Sequence, residues 1–311
     1  MSGPTRDTNH PDYSSTSASG FIPQIWSGKM IEKLYANTVF GEIANTNYEG
    51  EIKAKGDTVQ IRTTPDIAIS DYKIGGGLNY EKPTSAKVEL QINKAKYFAF
   101  EVNDVDAYQA DIKLMDDWSN DAGQKMKIAI DTDILAAVYA DVAAANAGAT
   151  AGVDSGSYNL GATGAPISID KTNAVDYLVD CGSVLWEQNV PETDRWIVIP
   201  TWYANLLKKS DLKDASMMGD GTSVLRNGRL GMIDNFTVYV SNNMGKTTDG
   251  TDTVTNILFG HKKALTFASQ MTEMETLKNP NDFGDLVRGL NVFGFKVIDP
   301  NAMGHMYAIK A

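Results

Sequence analysis

The sequence predicts an α+β protein of unequal parts: a polar tail with an apolar arm, a long hairpin, one very long helix and an α/β unit. Three observations carry this. GDTVQIRT and SAKVELQI both alternate apolar and polar residues, as half-buried strands do. A helical apolar period runs from residue 104 to residue 147. Short apolar strands alternate with helices over the rest of the chain.

The first twenty residues, MSGPTRDTNHPDYSSTSASG, are too polar to fold alone. From Trp26 to Tyr35 the apolar residues Trp26, Met30, Ile31, Leu34 and Tyr35 fall on one face of a short predicted helix, opposite Lys29, Glu32 and Lys33. In the first strand Val59 and Ile61 share a face, and Pro65 ends it; in the second, Val88, Leu90 and Ile92 do. Tyr72, Gly75, Gly76, Gly77, Tyr80 and Pro83 form a long tip between them. A two-stranded hairpin is marginal alone, so this element needs a neighbour. The long helix starts at a cap, Asp104 or Asp106, with Gly123 as a point of bending or division. Its span from 108 to 146 would be roughly 57 Å at about 1.5 Å per residue. Beyond it, Asp170 is a plausible N-cap for DKTNAVDYLVDCGSVLWEQNV, RWIVIP a buried strand and TWYANLLKKS a helix. NFTVYVSNN, NILFG, KKALTFAS, LNVFGFKVID and HMYAIK carry further strand signals.

Composition bounds the function. The chain has 311 residues, 42% hydrophobic and 22% charged, ordinary values for a globular protein of one or two domain-sized units. A net charge of −11 opposes phosphate-tracking nucleic-acid binding, which needs a basic stripe. Cys181 is the only cysteine, so no intrachain disulfide forms, and a reducing compartment fits. The sequence shows no signal-type segment and no apolar run of about 18 residues, so neither export nor membrane spanning is expected.

Catalytic motifs fail in turn. MGKTT at 244–248 lacks the leading glycine of a phosphate-binding loop, with Val240 in its place. Gly75, Gly76 and Gly77 do not join a buried strand to a helix. HExxH, paired-cysteine and GxSxG patterns are missing, and the histidines are His10, His261 and His305. The carboxylate pairs Asp116/Asp117, Asp131/Asp133 and Asp249/Asp252 read as solvated helix faces and a polar turn. No catalytic residue, metal or cofactor is expected.

Five blocks, in order, are more specific: FIPQIWSGKMIEKL with VFGEI, YEGEIKAKGDTVQI, VPETDRWIVIPTWYANLL, GRLGMIDNFTVYVSNN and FGDLVRGLNVFGFKVIDP. In wording and order they resemble the major capsid proteins of tailed bacteriophages, of the Hong Kong 97 fold and the short-tailed-phage (podovirus) type, over nearly the whole chain. The resemblance implies a Hong Kong 97-like fold with an N-terminal arm (1–47), an extended loop with flanking strands (48–100), a peripheral domain with a spine helix (101–167), an axial domain (168–255) and C-terminal return strands (256–311).

The implied function is structural: pentamers and hexamers of an icosahedral shell, assembled in the host bacterial cytoplasm, enclosing double-stranded DNA without sequence-specific contacts. The implied partners are a separate scaffolding protein, a portal protein and a decoration protein. In the family the arm and loop lie across neighbouring subunits, which makes Phe21, Ile22 and Trp26 candidate arm anchors. Tyr72, Gly75, Gly76, Gly77 and Tyr80 become candidate interface residues at the loop tip. The family's Lys–Asn crosslink, with Lys73 or Lys82 and Asn279 or Asn281 here, is not expected, nor is N-terminal cleavage. Competing readings are an encapsulin-like compartment, a two-domain α/β hydrolase and a tail component.

Overall fold

A computed structural model describes residues 36–47, 58–63, 65, 67–78, 80–85, 87–103, 114–210, 231–280 and 282–311. The polar tail, the helix predicted over Trp26–Tyr35, the anchors Phe21, Ile22 and Trp26, and the caps Asp104 and Asp106 lie outside these residues.

The largest sheet has seven strands: β4 (Ile167–Ile169), β5 (Arg195–Ile199), β6 (Met232–Ile233), β7 (Phe236–Val240), β8 (Lys246–Asp249), β9 (Asp252–His261) and β12 (Met303–Lys310). They run in the order β4-β12-β9-β5-β7-β6, with β8 beside β9. Every residue of β5 is buried, as its unbroken apolar run predicts. Arg195 opens that strand, and its guanidinium turns back to the carbonyls of Pro191 (2.8 Å) and Val190 (2.6 Å). β5 and β7 are parallel, a pairing that requires a crossover, and helix Thr201–Lys209 lies in that connection. Helix Ala174–Glu187 buries Ala174, Leu178, Cys181, Val184 and Leu185 at steps of three and four. The Tyr203 hydroxyl donates to the Ala174 carbonyl over 2.8 Å and ties the two helices together. Asp170 does not hold the N-cap position, which belongs to Asn173. Its carboxylate instead accepts from the amides of Thr172 and Asn173, an aspartate-centred turn that precedes the helix.

A second sheet joins β3 (Lys94–Asn103), β10 (Leu265–Lys278) and β11 (Gly284–Val297), all antiparallel, in the order β10-β11-β3. β3 is absent from the predicted strands because apolar residues on both faces, Tyr97 and Ala99 against Phe98 and Phe100, blur the alternation. β10 and β11 outrun KKALTFAS and LNVFGFKVID because their polar ends also pair, Glu275 facing Arg288 and Lys278 facing Asp285. The third sheet is the predicted hairpin, β1 (Thr58–Arg62) with β2 (Lys87–Gln91).

The long helix, Leu114–Ala137, is shorter than predicted at its C-terminal end. The chain continues as 3-10 turns at Val138–Asp141 and Ala144–Asn146. Helix-favouring alanines yield there to tertiary hydrogen bonds. The buried Asn146 side chain donates to the carbonyls of Asn301 (2.7 Å) and Met303 (2.8 Å) and accepts from Gln188 (2.9 Å). The helix runs through Gly123 without a break. The helix packs on the second sheet through an edge-to-face contact of Trp118 with Phe100 (5.9 Å) and a Lys96–Asp133 ion pair (2.9 Å). Its far end meets the seven-stranded sheet at Gly245, where a Cβ would stand 3.1 Å from Ala136 Cα and 3.3 Å from the Leu135 carbonyl. MGKTT is thus a helix–sheet contact followed by a strand.

Candidate assembly surfaces

The hairpin is anchored at its base. Ile61, Leu90 and Ile92 bury against Ala268 in a small core of their own, with Val292 and Ile298 packed around it. Gly294 permits this approach, since a Cβ there would stand 2.1 Å from the Gln91 carbonyl oxygen. Beyond β1 and β2 the two limbs stay in step without a strand ladder. The Ser85 hydroxyl donates to the Thr63 carbonyl, and the Ala68 amide to Glu81 over 3.2 Å. The turn closes at the tip, where the Gly76 amide donates to the Lys73 carbonyl over 3.0 Å. Gly75 and Gly77 have φ of 80° and 71°, which glycine adopts without strain.

The tip leaves its apolar side chains in solvent. Ile69 is 98% exposed, Ile74 95%, Tyr80 86% and Tyr72 73%, with Ile67 and Leu78 also exposed. Monomeric proteins rarely leave so many large apolar side chains exposed on one projection. The structure brings the predicted tip residues Tyr72, Gly75, Gly76, Gly77 and Tyr80 together on this projection.

A second apolar surface, not singled out in the sequence, lies between the long helix and β3. It is a groove of about 500 Å³ with Phe98, Phe100, Trp118 and Met126 on its walls and Lys96 and Lys125 at its edges. Tyr97 stands beside it, 80% exposed. The stacked Phe98 and Phe100 rings lie 6.1 Å apart, and their two-residue spacing in KAKYFAFEVN is the sequence signal of this surface.

A third feature corrects the sequence reading. Asp131 is fully buried, not part of a solvated helix face. Its Oδ1 accepts from the amides of Val39 (3.0 Å) and Phe40 (2.9 Å), and its Oδ2 from the Asn243 side chain (2.8 Å). Burial raises its pKa against the lowering effect of those hydrogen bonds. Asp249 also has a partner, accepting from the Gly164 amide over 2.6 Å.

Three ionisable groups of the described residues are sequestered. Burial pushes the Cys181 thiol and the Tyr203 phenol well above their ordinary pKa values. Burial holds His305 at about 4, with Nε2 3.0 Å from Asn256 Oδ1. A cleft of about 480 Å³ at the carboxyl ends of β5 and β7 is lined by Thr201, Asn205, Asn242, Lys246 and Lys310, among others, with no acid–base pair. Among the described residues no group of three His, Cys, Asp or Glu could hold a metal, and no helix is long and apolar enough to cross a membrane.

No curated protein matches the sequence. Solved structures do. A chain from Mycobacterium phage Che8 is 27% identical, with a TM-score of 0.75 over 92% of this chain and 96% of its own. The capsid of cyanophage P-SCSP1u is 17% identical, with a TM-score of 0.69 over 98% and 100%. The capsid of a native GTA particle is 17% identical, with a TM-score of 0.67 over 95% and 98%. The fold is thus the Hong Kong 97-like fold of phage capsid proteins. None of these likenesses bears on tail type. The family described as phage capsid protein matches residues 87–306, so this chain belongs to the phage capsid protein family.

Proposed function

We propose that this chain is the major structural subunit of an icosahedral virion shell, assembling as pentamers and hexamers around double-stranded DNA. The observation that carries the reading is the loop tip, whose large apolar side chains have no cover among the described residues of their own chain. Burying such residues against a neighbour gains roughly 25 cal/mol per Å² of apolar surface, which turns an unfavourable projection into an interface. One chain meets slightly different neighbours in rings of five and six, and the hairpin, anchored to the body at its base, tolerates the difference.

The arm (1–47) and loop (48–100) reach neighbours, the peripheral part (101–167) and axial part (168–255) form the wall, and the last strands (256–311) close both sheets. Phe21, Ile22 and Trp26 anchor the arm on a neighbour; Tyr72, Tyr80 and the Gly75–Gly77 turn anchor the loop. The role is structural and non-enzymatic. A net charge of −11 suits a wall that contains DNA without gripping it. A scaffolding protein sets the curvature in the host cytoplasm, a portal protein occupies one vertex, and a decoration protein binds outside.

The test is co-expression with a candidate scaffolding protein, followed by sedimentation and electron microscopy. Closed shells are expected; a dispersed monomer under all conditions would refute the reading.

A further inference from the structure

We propose that Asp131 is the positioning residue that fixes where the arm leaves the body. Its carboxylate holds the start of the short helix Phe40–Ile43 to the long helix and to the seven-stranded sheet at once. The first amides of a helix have no partner within it. Here Val39, in the N-cap position, supplies no side-chain cap. The cap comes from 92 residues away, Asp131 Oδ1 accepting from both Val39 and Phe40. The other oxygen is held by Asn243, on the loop that leaves β7.

The same short segment is stitched on either side. Asn243 and Ser241 both donate to the Asn37 carbonyl, over 3.3 and 3.4 Å. Further along, the Asn45 amide donates to the Leu265 carbonyl, its carbonyl accepts from the Phe267 amide, both over 2.9 Å, and its side chain accepts from Thr266. Val39, Ile43 and Ala44 bury in the main core. Residues 37–45 thus join the long helix, the seven-stranded sheet and β10, and Asp131 is the charged group at the centre of that junction.

Its donors are two backbone amides and a carboxamide, and among the described residues no ion pair explains a charge at this depth. A buried carboxylate with only neutral donors is costly to keep, and its geometry serves orientation more than stability. Shell assembly needs every copy to send its arm out in the same direction. That consequence rests on the proposed shell function; the clamp itself does not.

The test is amide hydrogen exchange on the unassembled full chain, with particle imaging alongside. Asp131→Ala is expected to raise exchange of the Val39 and Phe40 amides about tenfold or more, while exchange in the core of β5 stays as in the wild type. Asp131→Asn, which keeps an acceptor for both amides, is expected to restore protection. Asn243→Ala, which removes the donor to Asp131 Oδ2 together with the bond to the Asn37 carbonyl but leaves the Asp131 cap on Val39 and Phe40, is expected to give an intermediate result and serves if Asp131→Ala fails to fold. Imaging is expected to show irregular or open particles for Asp131→Ala and closed ones for Asp131→Asn. Unchanged exchange in Asp131→Ala, or equal loss of protection in Asp131→Asn, would overturn the proposal. Wild-type chain that forms no shells would refute the shell function while leaving the exchange result to decide the clamp.

Discussion

Asp131 and Asp133 stand two positions apart on the long helix, on nearly opposite sides, and meet different halves of the molecule. Asp133 pairs with Lys96 on the three-stranded sheet over 2.9 Å; Asp131 is buried against Asn243, on the β7–β8 loop of the seven-stranded sheet, and the first amides of the short helix. Two residues advance a helix by about 200°, so adjacent carboxylates on one strip of sequence bridge two sheets.

Asp131 gives a pH dependence of definite sign. Burial raises its pKa above the ordinary 3.8, so the folded chain binds that proton more tightly than the unfolded chain. Its contribution to stability therefore grows as pH falls through the raised value towards 3.8. At neutral pH the charge is a burden. Asp131→Asn removes that charge but sets its own NH2 against the Asn243 Nδ2, which stays bound to the Asn37 carbonyl, so stability at pH 7 is expected to stay within about 1 kcal/mol of wild type. Relative to wild type, the variant loses ground on acidification. Urea denaturation of both proteins across pH 4–7 measures it.

His305 has the opposite sign. Its folded pKa of about 4 lies below the ordinary 6.5, so the unfolded chain takes up a proton that the folded chain refuses. Stability falls as pH drops from 6.5 towards 4, by on the order of 3 kcal/mol from this group. His305→Gln, which can keep a hydrogen bond to Asn256, is expected to flatten that part of the wild-type curve. An unchanged slope would show that His305 protonates freely in the folded chain.

Gly294 holds the hairpin to the body. A methyl group there would collide with the backbone of Gln91 and Ile92, which cannot swing aside as a side chain can. Gly294→Ala is expected to cost about 1–3 kcal/mol. Hydrogen exchange should rise first in Thr58–Arg62 and Lys87–Gln91, with β9 unaffected.

The tip residues should matter to the assembly and not to the subunit. Tyr72→Ser combined with Tyr80→Ser removes two exposed rings that contact no core cluster. Subunit stability should stay within about 0.5 kcal/mol of wild type. Shell yield, measured by sedimentation, should fall at least several-fold.

Much of the fold was legible because periodicity reports burial. β1, β2, β5 and β7 lie where alternation or an unbroken apolar run put them, and the helices at 174–187 and 201–209 follow their apolar steps. What stayed hidden depended on distant partners. Past the end of the long helix, Asn146 bonds to Asn301 and Met303, distant partners of which the alanines around it gave no warning. β3 carries aromatic residues on both faces, because one face meets the long helix and Tyr97 on the other stays exposed. Asp131 looks like any helix-face aspartate in the sequence; only the fold brings Val39, Phe40 and Asn243 to it. The tip residues were legible for a simple reason: aromatic side chains among glycines have no regular element to bury them.

Electron microscopy of the full chain co-expressed with a candidate scaffolding protein is the decisive test of shell assembly. The account predicts closed polyhedral shells with five-fold vertices, in which the loop tip of each copy is covered by a neighbour. Soluble monomers with the tip folded back on their own body would contradict it.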